Sequence, residues 1–189
     1  MNLQDNPSAR SFFEFLNVPL GPRVRVLLVL LLVALLGSFL FPLWRIQMTA
    51  PQYPNGLRLD IYSYKLASGN EGRDLDEINV LNHYIGMRRI VREELIDLNW
   101  LPFAIGILAL LVLRTALLGN VRHLVDLAVL TAYLGAFAFG RFVYMLYTFG
   151  HDLDEAAPMD IEPFTPPVLG VKRVANFTTQ SWPMMGSWL

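Results

Sequence analysis

The run VLLVLLLVALLGSFLFPLW, residues 26–44, decides the class of protein to which this chain belongs. Nineteen consecutive positions carry no charge, matching the roughly 20 residues that a helix needs to cross the hydrocarbon core of a bilayer. Arg10, Arg23 and Arg25 precede it, as they would in a signal peptide. The apolar region is long for a signal, however, no A-x-A site follows, and Pro51 stands after Thr49-Ala50, so the run reads as an uncleaved anchor.

A second apolar run extends over 100–118, broken only by Arg114, whose long side chain can reach the interface. A third covers 124–149, with Asp126 near one end and Arg141 inside. Residues 119–123 between them leave room only for a tight turn. Composition agrees with three spans. Of the 189 residues, 54% are hydrophobic and 16% charged, against about a quarter charged in an ordinary soluble domain. The 15 basic and 16 acidic residues leave a net charge of −1, so no basic field exists to hold nucleic acid. The absence of cysteine removes disulfides, thiolate metal sites and cysteine nucleophiles.

Basic residues in short flanks favour the cytoplasm. Residues 1–25 and the 119–123 turn are placed there, with loop 45–99 and tail 150–189 outside, in the periplasm of a bacterial inner membrane. Seven basic residues between Arg45 and Arg92 weigh against this, but long loops count less.

Within the loop, residues 57–62 (LRLDIY) alternate apolar and polar and predict a short strand. Residues 68–73 read as flexible. Leu81, Tyr84, Ile85, Val91, Leu95 and Leu98 recur at helical spacing and predict an amphipathic interfacial helix running into the second span. The tail holds Pro158, Pro163, Pro166, Pro167 and Pro183, too many for a helix and too evenly spread for a strand in a central sheet. Its Phe164, Phe177, Trp182 and Trp188 predict an extended segment lying along a partner surface. The expected fold is therefore an all-α integral membrane protein with three transmembrane helices, a loop with one short strand, and an extended Pro-rich tail.

Three constellations bear on function. Arg141, about seventeen residues into the third span, either pairs inside the protein or reaches the headgroups, depending on where the span ends. His83 and Met87 stand four residues apart, on one face of a continuous helix, and an imidazole with a thioether suits Cu(I). His151 lies at the same membrane face, with Met48, Met159, Met184 and Met185. The alternative is structural: such histidines commonly hydrogen-bond backbone, and methionines fill packing gaps. Gly135, Ala136, Ala138 and Gly140 give the third span a face for close helix packing. No GxSxG, P-loop, GxGxxG or HExxH occurs, so no catalytic residue is assigned and an enzyme is not expected.

The phrases Ala50-Pro51-Gln52-Tyr53-Pro54, Leu81-Asn82-His83-Tyr84-Ile85-Gly86-Met87 and His151-Asp152-Leu153-Asp154, followed by Pro166-Pro167, Gly170 and Asn176-Phe177, resemble a group of small bacterial membrane proteins associated with nitrous oxide reductase and copper-maturation gene clusters. The resemblance covers about a third of the chain, all outside the spans. It implies an accessory role in copper handling, assembly or electron supply of a periplasmic or respiratory metalloenzyme. His83, Met87 and His151 are the positions where metal would be sought. The alternative from composition is a non-catalytic structural subunit of a respiratory or photosynthetic complex, its tail clamping neighbouring subunits.

Overall fold

The structure, a computed structural model, describes residues 7–159, 161–174 and 176–189. The first six residues of the predicted 1–25 segment and positions 160 and 175 of the predicted tail lie outside the described residues. The chain divides into two compact units, Met1–Leu36 with Ala104–Phe137, and Gly37–Phe103 with Ala138–Leu189.

Three helices are long and apolar enough to cross a membrane: Pro22–Leu40, Asp97–Leu118 and Val121–His151. Helix α1 (Pro7–Leu16) precedes them, α2 (Pro22–Gly37) forms most of the first, and α4 (Asp97–Leu118) and α5 (Val121–His151) are the second and third. Large side chains such as Leu30, Val33, Leu110 and Tyr133 lie exposed on these helices, a surface suited to lipid rather than water.

In the first unit, Leu28 of α2 packs with Leu108, Val112 and Ala116 of α4 and Leu127 of α5. The hairpin turn is fixed by polar groups. Asn120 caps α5 by accepting the His123 backbone N–H on Oδ1 at 3.1 Å. Arg25 donates to the Leu117 carbonyl at 2.6 Å and the Leu20 carbonyl at 3.0 Å, placing a cation on the bare carbonyls that end α4. The segment before α2 crosses the same turn through Leu20 N–H to Gly119 O and Val121 N–H to Val18 O.

The second unit corrects the all-α expectation. Strands β1 (Trp44–Ala50), β2 (Tyr53–Ile61), β3 (Leu66–Ser68), β4 (Gly170–Val174) and β5 (Phe177–Pro183) form one antiparallel sheet in the order β3-β2-β1-β5-β4. Loop and tail are thus one domain: β5 from the tail pairs with β1 from the loop, from Trp44 opposite Pro183 to Thr49 opposite Thr178. The prolines that argued against a central strand fall before β4 or, as Pro183, at the last position of β5, where no interior ladder bond is lost.

One sheet face carries Met48, Ala50, Leu57, Leu59 and Phe177 into a core with Ile78 and Ile85. Helix α3 (Arg73–Tyr84) supplies Ile78. The other face is polar: Arg45 forms a forked bond to Asp60, its Nη2 at 3.0 Å, and Arg58 lies 3.5 Å from the same carboxylate. The hydrogen bond to Asp60 holds the Arg45 pKa above its ordinary value. Buried Asp74 joins α3 to the sheet, accepting the Arg58 backbone N–H at 2.8 Å and the Asn70 amide at 2.6 Å.

The predicted helix through 81–98 is interrupted. Helix α3 ends at Tyr84, an extended segment follows, and α4 starts afresh at Asp97. Gly86, with φ +75°, is the stop signal: its N–H bonds to His83 O, and the Met87 N–H bonds to Asn82 O at 2.8 Å, the paired closure of a Schellman motif. The expected flexible stretch 68–73 holds the end of β3, a 3₁₀ turn at Asn70–Gly72 and the start of α3.

Candidate functional site

The segment Leu81–Met87 borders three depressions of the second unit. Buried Asn79 pairs with both backbone groups of Ile90, accepting the N–H at 2.7 Å and donating to the carbonyl at 3.1 Å. A side-chain amide thus stands in for a neighbouring strand and holds the extended segment after Gly86 against α3.

The tail docks on the same turn. Asp154 N–H donates to Gly86 O at 2.8 Å, and Met159 N–H to Tyr84 O at 3.0 Å. A Cβ on Gly86 would lie 2.8 Å from the Asp154 carbonyl oxygen. Downstream, Phe164 N–H bonds to Gly150 O at 2.9 Å, so the segment between them is a closed loop whose ends meet.

A polar cleft of about 310 Å³ lies between turn and tail, lined by His83, Met87, Arg88, Arg89, Asp152 and Asp154. His83 is exposed and Met87 half-buried. Arg88 sits 3.4 Å from Asp152 and over the Phe149 ring, which leaves Arg89 to give the rim a cationic side. Beyond it, a more apolar groove of about 490 Å³ runs along Val80, Leu81, Tyr84, Met159 and Tyr53. There the Tyr53 hydroxyl donates to the Glu77 carboxylate, and this bond raises the tyrosine pKa. Beneath the turn, an apolar cavity of about 80 Å³ brings Met87 together with Met48, Met145, Leu146, Phe149 and Phe164.

The residues singled out from the sequence separate into groups. His83 and Met87 share the polar cleft although they do not share a helical turn. His151 lies elsewhere: its ring stacks on Tyr147 at 3.8 Å, and its Nδ1 bonds to the Tyr147 carbonyl at 2.9 Å, directing the proton to that nitrogen. Among the described residues, no three His, Asp or Glu side chains stand close enough to hold a metal ion. Phe177 is in the core and Phe164 packs on it, so both are committed to this chain's own fold. Trp182 and Trp188 are exposed.

Arg141 has a partner that sequence reasoning left in the loop. Its guanidinium forks onto Asp97, Nε to Oδ1 at 3.0 Å and Nη2 to Oδ2 at 3.1 Å, and Trp100 Nε1–H donates to the same Oδ1 at 2.7 Å. Helical rise explains the meeting. At about 1.5 Å per residue, Asp97 and Arg141 each lie roughly 30 Å along their helices from the hairpin turn, the thickness of a hydrocarbon core. The pair thus closes the hairpin at about one hydrocarbon thickness from its turn. The rest of α5, with Met145, Leu146 and Phe149, forms a wall of the apolar cavity.

The signals missed in the sequence were Asn79, Asn82 and Gly86. A glycine after a helical run followed by an apolar residue is a recognisable stop. Comparison with known proteins gives no likeness to set beside this geometry: no family model, characterised protein or solved structure matches the chain.

Proposed function

We propose that this chain is an accessory protein of the bacterial inner membrane, serving copper handling, assembly or electron supply of a periplasmic or respiratory metalloenzyme. One observation carries the reading: His83 and Met87 line one open cleft, beside a more apolar groove along Val80, Leu81 and Tyr84. An imidazole and a thioether are ligands that Cu(I) accepts. An exposed imidazole beside a half-buried thioether leaves coordination positions open on the solvent side, which suits an ion handed between proteins better than one stored. His83 and Met87 would hold the ion, and the partner would complete its ligands.

The orientation that goes with this reading places the sheet domain outside the cytoplasm, as the Arg-flanked first span favours. The other reading, a structural subunit whose tail clamps its neighbours, loses its main support because β5 and Phe177 belong to the sheet and core of this chain.

Copper titration of the detergent-purified protein against a competing Cu(I) chelator tests the metal part. His83→Ala and Met87→Leu are each expected to weaken binding about tenfold or more, as the loss of a ligand or its support does. His151→Ala, outside the cleft, should leave affinity unchanged. Equal affinity of wild type and His83→Ala would remove copper from the proposal. Mild-detergent purification from native membranes then tests the accessory role through the metalloprotein that co-elutes.

A further inference from the structure

The C-terminal residues are placed by the first span. Helix α2 and the 3₁₀ turn Ser38–Leu40 make one apolar segment of 19 residues, Pro22–Leu40. At about 1.5 Å per residue this matches the hydrocarbon thickness, so Leu40 stands where the chain leaves the lipid. Helix α6 (Met185–Trp188) packs on that exit. Met184 N–H bonds to Leu43 O at 2.8 Å, Gly186 N–H to Pro42 O at 3.0 Å, and the Ser187 hydroxyl also reaches Leu43 O. A Cβ added to Gly37, the last residue of α2, would lie 3.8 Å from the Leu189 side chain. Gly186 has no room for a side chain, because a Cβ there would come within 2.7 Å of the Phe41 carbonyl oxygen. The turn is therefore fixed against the end of the span through backbone contacts, and its large side chains point away from the protein.

Those side chains are apolar and bare: Trp188 is 78% exposed, Leu40 75% and Met185 57%. Tyr64 lies beside Phe39 of the same exit, with ring centroids 6.3 Å apart, and the Lys65 ammonium sits 5.0 Å from the Tyr62 ring and 5.5 Å from the Tyr64 ring. Tryptophan, tyrosine and lysine gathered at the end of a span are the side chains that partition to the boundary between headgroups and acyl chains.

We propose that α6, with Leu40 and the Tyr62–Lys65 turn, is a second bilayer contact of the sheet domain: Met185 and Trp188 enter the headgroup and acyl boundary of the leaflet at which the first span ends, and Lys65 faces lipid phosphate. The occupant of this surface is phospholipid. Continuity with the span decides this, because a side chain fixed to the last turn of a transmembrane segment meets lipid before it meets anything else. The contact does not depend on copper handling and stands or falls by itself.

The chain contains no cysteine, so single introduced cysteines carry a spin label without background. Leu40→Cys, Met185→Cys, Trp188→Cys and, in the turn between β1 and β2, Gln52→Cys are labelled in the full chain and reconstituted in nanodiscs of phosphatidylethanolamine and phosphatidylglycerol. Accessibility to oxygen, which concentrates in lipid, is compared with accessibility to a water-soluble nickel chelate. The oxygen-to-nickel ratio at positions 185 and 188 is expected to rise several-fold over that at 52 and to approach that at 40. A ratio at 185 and 188 equal to that at 52, with 40 still lipid-like, overturns the proposal. Labels at 185 and 188 shielded from both reagents overturn it too, in favour of protein covering this face. A water-like ratio at Leu40 itself would show that the span ends earlier and would remove the premise.

Discussion

Gly86 illustrates how much one residue decides. Its φ of +75° lies where a side chain costs about 1–2 kcal/mol, and the Asp154 backbone occupies the space a Cβ would need. Gly86→Ala should therefore destabilise the sheet domain by more than the conformational cost alone and loosen the tail from the Tyr84–Gly86 turn. Thermal unfolding by circular dichroism, together with proteolysis after Arg88 or Arg89, measures both effects. Gly86 carries a recognisable stop signal that the expected helix over 81–98 ran through, and its contact with Asp154 could not be read at all, because 68 positions of chain separate them. The Arg141–Asp97 pair has the same character. A charge inside an apolar run was visible, whereas its partner stood 44 residues away at the first position of another helix. Both side chains keep partial exposure, so breaking the pair should cost between the roughly 0.2–1 kcal/mol of a surface bridge and the roughly 3–5 kcal/mol of a buried one. In a double-mutant cycle with Arg141→Met and Asp97→Asn, followed by unfolding in detergent, the double variant should lose less than the sum of the singles. Strict additivity would mean that the two groups do not interact.

At the level of elements, the strands are where sequence and structure part. β1 alternates plainly, with Ile46, Met48 and Ala50 inward against Arg45, Gln47 and Thr49 outward, although a strand is predicted from the sequence only at 57–62. β5 hides its pattern. Its inward residues after Phe177 are Thr179 and Ser181, and the hydroxyl of Ser181, fully buried, accepts the Trp44 indole N–H at 2.7 Å. A polar residue on a core face gives no hydrophobic alternation, and its partner is 137 positions away. Position in the sheet makes β5 indispensable, because it lies between β1 and β4. Ending the chain after Asn176 should abolish the cooperative unfolding of the sheet domain and make residues 44–95 sensitive to protease, while the helical signal of the apolar helices persists. A protease-resistant domain after this truncation would show that β1, β2 and α3 fold without the tail.

For the molecule as a whole, the tail is the largest revision. Read alone it is an aromatic, proline-rich extension seeking a partner. In the fold it closes a loop over the Leu81–Met87 turn, returns as β4 and β5, and ends as the turn seated at the exit of the first span. Its aromatic residues thereby divide into core members, Phe164 and Phe177, and exposed ones, Trp182 and Trp188. His83 and Met87 reach a common cleft by a route that helical spacing did not describe. What the sequence determined by itself is the set of three apolar helices, because crossing a bilayer is a requirement of local length and composition that each segment meets without reference to the rest. Only the tertiary structure decided that the loop and the tail are a single domain. Strand pairing satisfies backbone groups with partners far away in the chain, so neither half of the sheet carries in its own residues the identity of the half that completes it.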